Sequence, residues 1–195
     1  IRDRDKAARE GKWQTDVGRT LAGRTIGLVG LGRLGARTSA VANFFNMRVF
    51  AWSENLTAER ALECGAELVS KQELFKRSDV VSIHLLLSRR TRGLITADDL
   101  SFMKPDAYLV NTSRGPIIEE TALIDVLRAG RIGGAALDVF DREPLPKDHP
   151  FLGLDNVIIS PHMAYVTEEN LKEFYSETVE DIVSWLNGDP IRILK

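Results

Sequence analysis

The sequence predicts a doubly wound α/β fold, a parallel sheet covered by helices on both faces. Three observations point there. Short runs of aliphatic and β-branched residues alternate with helical patterns, the connections between them are brief, and a glycine-rich turn joins the first run to the first long helical segment. Strands that alternate with helices pair in parallel, because each crossover returns the chain to the starting edge of the sheet.

Residues 25–29, Thr-Ile-Gly-Leu-Val, read as a buried strand, and 34–45 as the helix after it. Residues 47–52 make a second strand. Thr57 caps a short helix that ends at Gly65, and Ser70 with Glu73 is expected to form a capping box for the next helix. Residues 79–85 are a third major strand, and Thr96 with Asp99 marks another helix start. Two further strands, 108–111 and 134–138, are separated by a helix over 119–129 that stops at Gly130; 156–159 is the last strand. No internal repeat or low-complexity segment interrupts the pattern.

The two ends differ. Residues 1–12 are dominated by charged side chains and read as a solvated helix. Residues 168–187 set Leu171, Phe174, Tyr175, Thr178, Ile182, Trp185 and Leu186 at helical spacing, with Gly188 as terminator. That apolar stripe must cover something.

Composition narrows the function class. With 195 residues, 44% of them hydrophobic, the chain supports a core of ordinary domain size. A net charge of −2 argues against an electrostatic grip on nucleic acid or an anionic membrane. The longest apolar stretch, 80–87, is interrupted by Ser82 and His84 and is too short to span a bilayer. A lone Cys64 cannot form an internal disulfide, which points to a reducing, cytoplasmic compartment. No signal peptide is visible, and a chain that starts at Ile1 suggests that natural residues precede it.

Gly30-Leu31-Gly32-Arg33-Leu34-Gly35 is a G-x-G-x-x-G that follows a strand and opens a helix, the Rossmann-like arrangement. Gly30 permits the tight turn, Gly32 lets backbone N–H groups approach a pyrophosphate, and Gly35 lets helix pack on strand. The helix N-terminus then offers unpaired donors to the anion. Dinucleotide binding is the expected use. An acid closing the second strand would bind the ribose 2′-hydroxyl; here the strand runs into Ser53, with Glu54 one step later. The choice between NAD and NADP stays open. NAD(H) is expected to be usable and NADP(H) tolerated.

Three further segments bring chemistry to the carboxyl ends of strands, where ligands bind in open α/β sheets. Arg114 follows one strand and is suited to a bidentate grip on a carboxylate. Asp138 and Glu143 follow the next, and His162 the last. His84 lies on a strand and is expected to pack beside the cofactor cleft; His149, in a polar loop, reads as structural. Three dispersed histidines and one cysteine give no metal-ligand spacing, so no metal is expected.

Four ordered strings carry a family resemblance: Gly-Leu-Val-Gly-Leu-Gly-Arg-Leu-Gly over 27–35, Leu-Val-Asn-Thr-Ser-Arg-Gly over 109–115, Ala-Leu-Asp-Val-Phe-x-x-Glu-Pro-Leu-Pro over 136–146, and Ile-Ser-Pro-His over 159–162. From about Gly11 onward the chain resembles the D-isomer-specific 2-hydroxy acid dehydrogenases, a family that includes phosphoglycerate dehydrogenases and glyoxylate and hydroxypyruvate reductases. The resemblance implies that Arg114 binds the substrate carboxylate, that His162 gives and takes the proton, and that Glu143 orients it. It places Asp138 near the nicotinamide carboxamide, Arg33 and Leu34 at the pyrophosphate, and Thr112 on the cofactor cleft. The neighbouring His84, Leu85 and Ser113 are counted as cofactor contacts as well. Leu86 stands where the family commonly has proline.

The chemistry agrees with those roles. Reducing a 2-keto acid needs hydride at the carbonyl carbon and a proton for its oxygen, which an imidazolium supplies. A neighbouring carboxylate favours imidazolium and holds one tautomer. The resemblance also implies three parts: a linker helix and hinge over 1–18, a dinucleotide-binding domain over 19–166, and over 167–195 a helix returning to a substrate lobe whose N-terminal part is not in this sequence. A small 2-hydroxy or 2-keto acid is the expected partner, in a homodimer. The rival reading is an NAD(H)-sensing protein like the corepressors that resemble this family, in which turnover is incidental.

Overall fold

Seven strands form one sheet: β1 (Thr25–Val29), β2 (Arg48–Trp52), β3 (Glu67–Leu68), β4 (Val80–Ile83), β5 (Tyr108–Asn111), β6 (Gly134–Leu137) and β7 (Val157–Ile159). The computed structural model describes residues 2–15 and 17–193. Every adjacent pair is parallel, in the order β3-β2-β1-β4-β5-β6-β7. The chain winds outward from β1 to β3, crosses back to β4, and continues outward to β7. Between β1 and β4 the winding reverses, and such a switch point opens a crevice at the carboxyl ends of the strands. The doubly wound expectation holds.

The helices are α1 (Arg2–Arg9), α2 (Arg33–Phe44), α3 (Ala58–Glu63), α4 (Lys71–Arg77), α5 (Ala97–Ser101), α6 (Glu120–Arg128) and α7 (Glu168–Leu186). Leu74 and Phe75 of α4, Leu100 of α5, and Leu123 and Leu127 of α6 pack with the inward side chains of β4 to β7, among them Ile83, Leu109 and Leu137. A second cluster joins Ile26 and Leu28 of β1 to Ala42 of α2 and Ala61 of α3. Each large side chain buried this way contributes about 1.5–3 kcal/mol, so the two layers fix where the strand ends lie.

Most expected elements lie within a residue or two of their observed bounds, but three details differ. β3 was not expected: its two residues, paired Phe50↔Glu67 and Ala51↔Leu68, are too few to show alternation. The strand expected over 79–85 is shorter at both ends. Asp79 precedes it and accepts from the Thr25 backbone N–H at 2.8 Å and from Lys104 Nζ at 2.8 Å, so its carboxylate ties the amino ends of the central strands β1 and β4 together. The capping box expected at Ser70 is half formed: Ser70 accepts from Glu73 N–H at 3.2 Å, while the Glu73 carboxylate turns to Arg77. The complete box is at Thr96 and Asp99.

The apolar stripe of α7 is present and no residue of that helix is buried; Phe174, Tyr175, Ile182 and Trp185 are all exposed. Ile1, Asp16, Leu194 and Lys195, in the two expected end segments, lie outside the described residues. On β5 and β7, Tyr108 and Ile158 alternate away from the packed face and are also exposed.

Candidate active site

The turn after β1 is shaped by how closely backbone passes backbone. Gly30 has φ +102°, and a Cβ there would sit 2.6 Å from the His84 carbonyl oxygen. A Cβ on Gly35 would meet the Gly30 carbonyl oxygen at 2.2 Å. Gly32 is different: it caps α2, and nothing lies within 4 Å of where its Cβ would be. Open space therefore lies over the start of α2, where no side chain caps the helix and its first N–H groups keep their donors. A pyrophosphate fits that chemistry.

Gly32 lies on a cleft of about 840 Å³. Leu31, Trp52, Ser53 and Glu54 form one wall, and Leu85, Ser88, Arg90 and Thr91 the other. Both Ser53 and Glu54 line it, because a turn follows β2 and brings the carboxylate round. Leu86, in the proline position, is exposed, and its carbonyl accepts from Thr91 Oγ1 at 2.7 Å, which closes the loop after β4. His84 does not line the cleft. Its ring is half-buried beneath the glycine turn with Nε2 3.0 Å from Ser82 Oγ, and burial pushes its pKa down.

At the end of β5 the buried Asn111 folds the next three residues over itself. Its Oδ1 accepts from the Ser113 N–H at 3.0 Å and its Nδ2 donates to the Arg114 carbonyl at 3.0 Å. Ser113 Oγ donates to the Leu85 carbonyl, joining this loop to the one after β4. Thr112 and Arg114 remain exposed on the rim. Arg114 Nη1 donates to the Ser113 carbonyl at 2.6 Å.

The loops after β6 and β7 interlock. Buried Asp138 accepts from Ser160 Oγ at 2.5 Å, from the Met163 N–H at 2.8 Å and from the Ala164 N–H at 3.0 Å. Glu143 accepts from the Phe140 N–H at 2.9 Å through Oε1, and its Oε2 lies 2.6 Å from His162 Nδ1. An ionised carboxylate only accepts, so Nδ1 carries the proton and Nε2 faces out. His162 has φ +56°, and Tyr165 meets its ring edge-on at 5.8 Å between centroids. Glu143 and His162 form part of the wall of a second cavity of about 450 Å³, otherwise lined by apolar groups such as Phe140, Leu145 and Ile159.

Burial would push the Glu143 carboxyl up, but hydrogen bonds from His162 and the Phe140 N–H, with the charges of His162 and Arg114, hold it below its usual range. Asp138 behaves alike: burial is outweighed by Ser160, Ala164 and Met163. Asp141 moves the other way, raised by burial and by Glu120. His149 Nε2 lies 3.2 Å from Glu120 Oε1, and its Nδ1 accepts from the Phe151 N–H, a structural use as expected. Among the described residues, no group of three or more His, Cys, Asp or Glu is arranged to hold a metal ion.

The fold thus brings Arg114, Glu143 and His162 to one rim and the glycine turn, Ser53, Glu54 and Leu85 to the adjoining cleft. Sequence reasoning missed Asn111, Ser160 and the 88–91 turn. A polar residue ending a buried strand was the available signal for the first.

The comparisons with known proteins identify the family. Residues 1–164 match the family described as D-isomer specific 2-hydroxyacid dehydrogenase, NAD binding domain. A glyoxylate reductase of Aeropyrum pernix is 41% identical over 172 residues, covering 88% of this chain and 51% of the relative. The structure of a D-lactate dehydrogenase from Aquifex aeolicus, complexed with NAD and lactic acid, superposes with a TM-score of 0.85 at 31% identity, over 95% of this chain and 61% of that one. An acyclic imino acid reductase in complex with NADPH and D-Arg has a TM-score of 0.83 at 34% identity, covering 100% of this chain and 62% of the other. The chain spans between about a third and three-fifths of the length of the relatives it matches. It belongs to the D-isomer-specific 2-hydroxyacid dehydrogenase family and comprises that family's NAD-binding domain.

Proposed function

We propose that the protein transfers a hydride between a nicotinamide cofactor and a small D-2-hydroxy acid or its 2-keto acid. The observation that carries this reading is the 2.6 Å contact between His162 Nδ1 and Glu143 Oε2, at the rim that also bears Arg114. NAD(H), when bound, supplies or accepts the hydride at the substrate's second carbon. His162 donates the Nε2 proton to the keto oxygen during reduction and takes it back during oxidation. Glu143 accepts from Nδ1 and so fixes the tautomer and orientation of the ring. Arg114 grips the substrate carboxylate with two N–H groups and so orients the carbonyl.

Gly30, Gly32 and Gly35 with Arg33 and Leu34 hold the pyrophosphate; Ser53 and Glu54 meet the ribose. Leu85, Thr112, Ser113 and Asp138 serve the nicotinamide side, with His84 as packing beneath them. Relatives that bind NAD and NADPH on this frame are in keeping with use of NAD(H) and tolerance of NADP(H). The stripe of α7 is read as the surface that meets a substrate lobe, which assigns 1–18, 19–166 and 167–195 to hinge, cofactor domain and returning helix. A homodimer would cover the exposed Tyr108 and Ile158, and the lone Cys64 suits a cytoplasmic setting.

The deciding experiment takes protein that includes the substrate lobe and screens 2-keto acids with NADH and NADPH. Efficient turnover of at least one acid is the expected result. Tight NADH binding with no turnover across the panel would favour the sensor reading.

A further inference from the structure

We infer that Arg90 is the cation that meets a 2′-phosphate in the cofactor cleft, so that NADP(H) is accepted through the wall opposite the end of β2. The inference rests on reading the cleft as a dinucleotide site.

A carboxylate at the end of the second strand would repel a 2′-phosphate, and Ser53 removes that repulsion from the first position. No cation follows it closely. The next along the chain is Arg60 on α3, and its guanidinium pairs with Glu63 at 3.1 Å. The cleft nevertheless has one cationic wall residue. Arg90 lines the same cavity as Ser53, Glu54 and Asn55, although 35 positions separate it from Asn55 in the chain.

Its position is fixed by a braced turn. The Ser88 N–H donates to Thr91 Oγ1 at 2.8 Å, Thr91 Oγ1 donates to the Leu86 carbonyl at 2.7 Å, and the Arg92 N–H donates to the Ser88 carbonyl at 3.0 Å. Three arginines, 89, 90 and 92, share this turn. Arg89 does not line the cleft. Arg92 does not line the cleft either, and its charge acts on Asp141, in the loop after β6. Arg90 alone faces the cleft, and among the described residues no ion pair engages it.

The chemistry follows from that arrangement. A guanidinium without a carboxylate partner presents parallel N–H donors to a phosphate, and Ser53 Oγ and the Asn55 amide can donate from across the cleft. Glu54 opposes a dianion but accepts from ribose hydroxyls. The pair therefore divides the cofactors: Glu54 serves the unmodified ribose, and Arg90 serves the phosphorylated one. Discrimination is accordingly modest.

The test measures equilibrium binding of 2′,5′-ADP, ADP, NADPH and NADH to residues 1–195, wild type and variants, by calorimetry. R90Q is expected to lower the 2′,5′-ADP:ADP affinity ratio about tenfold, and the NADPH:NADH ratio with it, whereas R90K keeps both ratios within about threefold of wild type. E54Q is expected to raise both ratios. An R90Q protein with unchanged ratios overturns the role of Arg90 while leaving dinucleotide binding intact. A wild-type chain that binds none of the four overturns the cleft reading and the inference together.

Discussion

Asp138 accepts a 2.5 Å hydrogen bond from Ser160, so a carboxylate at the end of β6 clamps the loop that leaves β7. The same carboxylate takes two backbone N–H groups just beyond His162. The His162 side chain is thus held from behind as well as by Glu143. The loop's φ of +56° at His162 is held by these bonds, since L residues rarely adopt that conformation unaided.

Asp138→Asn should therefore destabilise residues 1–195 by about 2 kcal/mol or more, because one side of the amide turns a donor towards backbone N–H groups. The sign of its pH dependence follows from its lowered pKa. A carboxyl depressed in the folded state adds stability that is full above its ordinary value and is lost as pH falls through the lowered one. The gap between wild type and variant should therefore narrow below about pH 4. Urea midpoints at pH 7 and pH 3 check this, and a gap of constant size would mean that the charge of Asp138 does not hold the loop.

Glu143→Gln keeps the shape of the His162 contact and removes its charge. In protein with both lobes, the amide can turn its NH2 towards Nδ1 and no longer holds the ring as the carboxylate does, so turnover in keto acid reduction should fall about tenfold or more while NADH still binds. His162→Ala should lose on the order of a hundredfold or more in turnover while still binding NADH. Turnover measured beside NADH titration decides it; a Glu143→Gln protein with wild-type turnover would sink the pairing.

Two glycines three residues apart should respond in opposite ways. A Cβ at Gly35 runs into the Gly30 carbonyl at 2.2 Å, so Gly35→Ala should cost about 1–3 kcal/mol of stability or more. At Gly32 the same methyl meets nothing, so Gly32→Ala should fold as wild type does but weaken NADH binding as the methyl enters the space over α2. Thermal melts paired with NADH titration separate the two. Equal loss of stability in both variants would contradict the open space over Gly32.

What could be read beforehand follows from how local each cause is. The strands around 25–29 and 108–111 were legible because their apolar runs are buried, and the caps at Thr57 and Thr96 because a hydroxyl three residues before a helical N–H is a local device. The expected catalytic group was legible as strand-end chemistry: each of its members follows a recognisable strand. β3 was not, since two residues carry no period. Arg90 was not either, because a search for a cation just beyond β2 looks along the chain, and the fold supplies one from the loop after β4. Asp138 was noticed, but its grip on Ser160, Met163 and Ala164 depends on loops brought together only by the pairing of β6 with β7.

The last prediction concerns Ser53, which lines the cleft beside Glu54. Ser53→Asp restores the acid that a ribose-binding strand end ordinarily carries. Its charge would face a 2′-phosphate directly and would also offer Arg90 a carboxylate across the cleft, drawing that guanidinium away from the cofactor. Both effects disfavour NADPH. Binding of NADPH should fall about tenfold or more relative to NADH, equivalent to ~1.4 kcal/mol of added repulsion. Combining Ser53→Asp with Arg90→Gln should give less than the product of the two separate losses, since each variant removes the same attraction. Affinities of NADH and NADPH for the four proteins supply the comparison. If Ser53→Asp binds NADPH as tightly as wild type does, Ser53 does not face the ribose, and the cofactor's adenosine end lies elsewhere in the cleft.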